Sequence, residues 1–271
     1  MRLLAVLALL IAPLAMAEEP VDPRITPEVL EAFGAATFDD GGFTLPYRLL
    51  KPDGASDDNP RPLLVFLHGF GERGDDNQRQ LIHGGATFAS QRFAKHGAYV
   101  LAPQCPAGNL EGSDQPVVWS LRLRPTDESV PLGVDQRMTE PMHAVRALVE
   151  HLIETESVDE NRLYVSGLSM GGYGTWEMAA REPEFWAAAA PICGGGNPAW
   201  GEPLAKLPLW AFHGDADTAV PVERSREMIQ AIREAGGTPV YTEYPGVGHG
   251  SWTPTFECPQ VWDWVFAQRR R

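Results

Sequence analysis

Short runs of strand character alternate with stretches of helical periodicity along most of this chain. Residues 63–67, 99–102, 163–166, 187–192, 209–213 and 240–244 read as strands. Between and after them, helical periods occupy about 78–96, 137–156, 172–181, 221–235 and 259–269. In the second helical stretch Met142, Val145, Leu148, Val149 and Leu152 recur at helical spacing, so that stripe belongs to the core. Apolar strands separated by helices predict a mostly parallel central sheet with helices on both faces. Residues 43–50, Phe-Thr-Leu-Pro-Tyr-Arg-Leu-Leu, alternate enough to form an outer antiparallel strand after a polar, proline-rich lead.

Two connections stand out. Residues 103–134 form a long segment rich in proline, glycine and aspartate, leaving the carboxyl end of a strand, where open α/β sheets hold their ligands. This segment is expected to wall one side of a site, with Trp119 either touching substrate or plugging the space under the loop. The connection 193–209 is short and leaves no room for a large cap domain. An open cleft follows, able to admit part of a bulky or polymeric substrate.

The first 17 residues carry one positive charge at Arg2, an apolar stretch and the ending Ala15-Met16-Ala17. That is the pattern of a secretory signal peptide cut after Ala17. Its apolar run is shorter than the roughly 20 residues of a spanning helix, so no membrane anchor is expected. Residues 18–271 then make a single α/β domain. A formal net charge of −14 argues against a nucleic-acid partner, because the field of the protein would repel phosphate. Three cysteines, Cys105, Cys193 and Cys258, allow at most one internal disulfide, and Cys193 after its apolar run reads as a buried thiol. There is no H-E-x-x-H, no paired C-x-x-C and no EF-hand loop, so neither a metal nor another cofactor is expected.

The candidate chemistry lies where the apolar run Leu163-Tyr-Val-Ser-Gly-Leu breaks at Ser169 and continues through Met-Gly-Gly-Tyr into a helical period. A serine bracketed by Gly167 and Gly171 fits a tight strand-to-helix turn that lifts a hydroxyl clear of the sheet. Ser166 is a rival, but it lies inside the strand and lacks the bracket. Further on, His213-Gly-Asp215-Ala-Asp217 ends a strand in a polar loop, and Tyr244-Pro-Gly-Val-Gly-His249-Gly presents one histidine on a glycine-rich loop. Serine, acid and histidine in that order match the α/β-hydrolase arrangement. His83, His96, His143 and His151 fall on predicted helices, and His68 and His213 end strands, where histidines are commonly structural. Upstream, Leu67-His-Gly-Phe70-Gly can offer the Phe70 N–H to an oxyanion, and the elbow offers that of Met170.

With these residues in hand, the chain resembles the α/β-hydrolase superfamily, and within it secreted esterases akin to phospholipase/carboxylesterase and polyhydroxybutyrate-depolymerase-like proteins. The segments Leu67-His-Gly-Phe-Gly-Glu-Arg-Gly, Ala102-Pro-Gln-Cys-Pro, Gly167-Leu-Ser-Met-Gly-Gly-Tyr-Gly-Thr-Trp and Ala190-Pro-Ile-Cys-Gly-Gly carry the match. The resemblance implies an α/β-hydrolase fold without a large cap. It selects Asp217, the second aspartate of the H-G-x-x-D loop, over Asp215, and suggests that Glu72 and Arg73 shape the loop around the oxyanion, with Glu72 reachable by substrate. The expected activity is hydrolysis of small-molecule or polymer-linked carboxylic esters by Ser169, His249 and Asp217. Two alternatives accompany it: a serine peptidase of small peptides, and a polymer-binding protein that has kept the scaffold without the chemistry.

Overall fold

A computed structural model describes residues 22–110, 112–121 and 138–270. The expected signal peptide and residues 122–134 of the long loop lie outside them. The strands are β1 (Phe33–Asp39), β2 (Thr44–Leu50), β3 (Arg61–Leu67), β4 (Tyr99–Pro103), β5 (Val158–Leu168), β6 (Ala188–Ile192), β7 (Trp210–Gly214) and β8 (Val240–Tyr244). The α-helices are α1 (Pro27–Ala32), α2 (Gly85–Phe88), α3 (Gln91–Ala94), α4 (Glu140–Thr155), α5 (Met170–Arg181), α6 (Gly201–Leu204), α7 (Glu223–Glu234), α8 (Trp252–Glu257) and α9 (Pro259–Ala267). One sheet runs β1-β2-β4-β3-β5-β6-β7-β8. β1, β2 and β4 pair antiparallel and the remaining neighbours pair parallel.

Strand β3 shows why both faces are covered. Leu63, Val65 and Leu67 enter one apolar layer with Leu101, Met142, Val145 and Leu148, whereas Leu64 and Phe66 enter the other with Phe88, Phe212, Phe256 and Trp262. Successive strand residues point to opposite faces, so an unbroken apolar run requires cover on each side. Helix α4 provides part of it: Thr139 caps its first turn by accepting from the Met142 N–H at 3.3 Å, and the expected stripe is buried. Among the described residues no helix is long and apolar enough to cross a membrane.

Two expectations need correction, and one helix was not foreseen. The helix expected over 78–96 is a 3-10 turn, Arg79–Leu81, followed by the short α2 and α3. Gly84 and Gly85 interrupt it where a Cβ would come within 2.6 Å of the Phe88 ring and 2.8 Å of Val29, and Ser90 starts a new turn by capping Phe93 N at 3.3 Å. Strand β2 is not the outermost, because β1, drawn from the weakly apolar Phe-Gly-Ala-Ala-Thr-Phe-Asp, pairs along its free edge. Helix α8, immediately after the His249 loop, had no apolar period long enough to announce it.

The long segment after β4 sends Trp119 inward, while the connection after β6 holds only the 3-10 turn Pro198–Trp200 and α6. The three cysteines are free, with Cys105 and Cys193 buried and Cys258 partly exposed.

Candidate active site

The site forms at the carboxyl ends of β3, β5, β7 and β8. Between β5 and α5, Ser169 adopts φ 54° and ψ −115°, a conformation that L residues rarely hold unless the surroundings impose it. The imposition is visible on both sides of the serine. A Cβ on Gly167 would sit 2.6 Å from the Leu67 carbonyl oxygen, and one on Gly171 would lie 2.5 Å from the Leu67 carbonyl carbon and 2.8 Å from His68 O. The glycines therefore let the start of α5 press directly on the end of β3. The Ser169 N–H donates to Ile192 O at 3.0 Å, fixing the turn to β6.

The His249 imidazole stands over this turn, with Nε2 2.9 Å from Ser169 Oγ and Nδ1 2.7 Å from Asp217 Oδ2. Asp217 is held from behind: Oδ1 accepts the Ala219 and Val220 N–H groups at 2.8 and 2.9 Å. Its Oδ2 also lies 3.3 Å from His213 Nε2. Burial lowers the His213 pKa, which keeps this second histidine neutral and the Asp217 carboxylate available to His249. Asp215 faces away, exposed, and accepts the Gly246 N–H at 2.6 Å. Ser166 is buried in β5 and donates to Ala190 O at 2.7 Å. The structure thus brings Ser169, His249 and Asp217 together and leaves both rivals outside.

Phe70 and Met170 each open a helical turn, and first-turn N–H groups have no intrahelical acceptor. The loop carrying Phe70 is tied from within. His68 Nε2 accepts the Cys105 N–H at 2.9 Å, so its proton resides on Nδ1, which donates to Gly69 O at 2.6 Å. In a trans peptide the C=O and the next N–H point in opposite directions, so holding Gly69 O also aims the Phe70 N–H. Full burial, partly opposed by the bond to Gly69, takes the His68 pKa down to about 4 and keeps the ring neutral. The Phe70 ring itself is 46% exposed, with the Arg73 guanidinium 3.6 Å from its centroid and Arg73 Nη1 donating to Val117 O at 2.9 Å.

Two expected substrate contacts are corrected. Trp119 is 0% exposed and donates from Nε1 to His68 O at 3.1 Å, so it is the plug beneath the loop and supports the end of β3. Glu72 is buried as well; its carboxylate underlies Gly69 and lies 3.3 Å from His83 Nε2. Burial by itself would raise the Glu72 pKa, but the hydrogen bond to His83, together with the proximity of His68 and the Gly69 N–H, offsets it and the pKa is lowered. Both side chains shape the loop from below. Neither lines the cleft.

Trp252 was missed by sequence reasoning. Its ring meets His249 edge to face, 5.4 Å between centroids, and packs against His83 on its other side at 4.9 Å. Its position three residues after His249 is the one signal that could have marked it. A 470 Å³ cavity lined by Trp186, Leu209, Val240 and Trp264 lies at the amino ends of β6–β8, away from Ser169.

Comparison with known proteins places this geometry. A solved thermostable esterase superposes with a TM-score of 0.79 at 40% sequence identity, over 89% of this chain and 64% of that one. NocK of Nocardia uniformis subsp. tsuyamanensis, a protein named as an esterase, is 30% identical over 185 residues, 67% of this chain and 48% of that protein. Poly(3-hydroxyalkanoate) depolymerase C of Paucimonas lemoignei is 25% identical over 248 residues, 70% of this chain and 55% of the depolymerase. The chain thus spans about half the length of these two relatives. The family model for dienelactone hydrolases matches residues 83–258, a stretch that runs from the helical turns after β3 through the serine elbow, the acid loop and the histidine loop. The chain belongs to the dienelactone hydrolase family, within the α/β-hydrolase superfamily.

Proposed function

We propose that this protein is an exported serine hydrolase that cleaves carboxylic esters through an acyl-enzyme intermediate. The observation that carries the proposal is one imidazole joining two partners, Ser169 Oγ at 2.9 Å and Asp217 Oδ2 at 2.7 Å. With its proton on Nδ1, donated to Asp217, His249 keeps a lone pair on Nε2 directed at the serine hydroxyl. Ser169 attacks the ester carbonyl as Nε2 takes its proton, and Asp217 stabilises the imidazolium. The same proton then passes to the departing alkoxide. Water, deprotonated by His249, releases the acid and restores Ser169. The oxyanion formed in both halves is received by the Phe70 and Met170 N–H groups, each donor of this kind lowering the barrier by on the order of 3 kcal/mol.

Esterase names among the relatives support an ester in preference to an amide. The substrate class is a small-molecule or polymer-linked ester, in keeping with the exposed Phe70 at the mouth and the short β6–β7 connection. Export is supported by the sequence of residues 1–17. An N-terminal mass beginning at Glu18 in protein recovered from outside the cytoplasm would bear it out, and protein confined to the cytoplasm with Met1 intact would refute it.

The decisive experiment exposes the folded protein to a fluorophosphonate and weighs it intact beside Ser169→Ala. One adduct on wild type and none on the variant is the expected result. A folded wild type that takes no label would overturn the hydrolase reading in favour of a polymer-binding protein. Labelling together with cleavage of peptide amides but not esters would favour the peptidase.

A further inference from the structure

Behind the His249 imidazole a third chemically distinct donor joins the pair already described. One ligand atom each of Cys193, Asp217 and His249 lies within 4.8 Å of the others. The three residues follow β6, β7 and β8, so no sequence spacing connects them. Cys193 holds φ 40°, and its N–H donates to Phe212 O at 2.8 Å, which locks the residue between β6 and β7. Ser251 supplies an independent sign of unmet coordination there. Its hydroxyl is fully buried, has no well-formed hydrogen bond among the described residues, and faces the Cys193 thiol.

We propose that Cys193, Asp217 and His249 form a site for a borderline-soft divalent cation, Zn²⁺ in the first instance, and that filling it shuts off hydrolysis. The binding stands on the donor set alone; the shut-off rests on the hydrolase reading above. Thiolate, imidazole and carboxylate are the ligands Zn²⁺ takes, and three protein ligands leave a fourth position for water or the Ser251 hydroxyl. Bond lengths of about 2.0 to 2.3 Å place tetrahedral donors roughly 3.5 Å apart. The His249–Asp217 pair, 2.7 Å apart, must open slightly, and the three donors, all within 4.8 Å of one another, must settle at that spacing. Gly248 and Gly250 flank the histidine, and a Cβ on Gly250 would meet nothing within 4 Å, so that loop has space to adjust. His249, with its side chain 27% exposed, is the donor through which the ion reaches the buried carboxylate.

Charge and proton balance both close. The Cys193 thiol is buried, and its proton is the one that an incoming cation must displace. Zn²⁺ displaces that proton to solvent, and thiolate and carboxylate together neutralise the ion, removing most of the cost of placing two positive charges in a buried site. As the metal takes the Nδ1 lone pair, the imidazole proton moves to Nε2. Nε2 then has no lone pair for the Ser169 proton, and the base is disabled with the serine untouched.

The test uses chelator-treated wild type, Cys193→Ala, the near-isosteric Cys193→Ser, and Ser169→Ala, with Co²⁺ as a spectroscopic probe and Zn²⁺ as competitor. A thiolate-to-cobalt charge-transfer band is expected in wild type and in Ser169→Ala, absent from Cys193→Ala, and bleached by Zn²⁺. Ester hydrolysis, scaled to the zinc-free rate of each protein, should need at least tenfold more Zn²⁺ for half-inhibition in both cysteine variants. No band in wild type, or the same zinc midpoint in all proteins, would overturn the site. A cobalt band in a protein that neither hydrolyses esters nor takes the fluorophosphonate would support the site and overturn the shut-off.

Discussion

Gly171→Ala tests how the elbow is built. Its new methyl group would lie 2.5 Å from the Leu67 carbonyl carbon, closer still to the oxygen, and 2.8 Å from His68 O. These are backbone atoms of β3 and of the residue that follows it, and they have no rotamer by which to retreat. Restoring an ordinary contact requires a separation of about 1 Å between α5 and the end of β3, at an overpacking cost of roughly 1 to 3 kcal/mol. The same movement separates Met170, on α5, from Phe70, on the loop that continues β3. Misplacement by about 1 Å typically costs on the order of 100-fold in rate. The expected result is a kcat for an activated aryl ester lowered about 100-fold, a urea midpoint lowered in step with the stability loss, and far slower fluorophosphonate labelling. Gly34→Ala is the control, because its methyl group meets only Leu49 O at an ordinary 3.7 Å. A Gly171→Ala protein with kcat within twofold of wild type and an unchanged urea midpoint would refute the reasoning that the glycine exists for this contact.

Asp217→Asn should lower kcat by about 10⁴-fold by upsetting the tautomer of His249, whereas Asp215→Asn should stay near wild type; steady-state kinetics of both decide between the two aspartates. Native His68 resists protonation down to about 4, while the unfolded chain binds that proton below its ordinary 6.5. The unfolded state therefore holds more protons between these values, and stability falls as pH is lowered from 6.5 towards 4, by up to about 3 kcal/mol from this group. Urea unfolding across that range should show a flatter pH dependence in His68→Asn, and an unaltered slope would count against a buried neutral His68. With Cys258 partly exposed and Cys105 and Cys193 buried, one thiol should react with a disulfide reagent in the native protein and three after unfolding; two missing thiols after unfolding would reveal a disulfide.

The order of strands and helices was legible because burial on both sheet faces demands continuous apolar runs, and β3 to β7 all have them. Ser169 and His249 were legible for a related reason: glycines next to a single polar residue mark a backbone pressed into an unusual path. Asp217 and Asp215 could not be separated by the residues alone, since both lie in one loop. Tertiary structure separates them by directing Oδ1 of Asp217 to two backbone N–H groups and Oδ2 to His249, while Asp215 binds Gly246. Trp119 was left between two readings and Glu72 was misread, because a residue beside a cleft in sequence can point beneath it as readily as into it.

By itself the sequence determined the alternation of layers, the serine elbow and the order of its partners, because periodicity and glycine placement are local properties of the chain. Only the tertiary structure decided the rest: which aspartate holds the histidine, that His68 aims the Phe70 peptide, that Trp252 braces His249, and that Cys193 lies beside Asp217. Those facts depend on loops from separate strands converging at one end of the sheet. Side-chain direction and distance there are set by packing between segments far apart in the chain, which no single stretch of residues encodes.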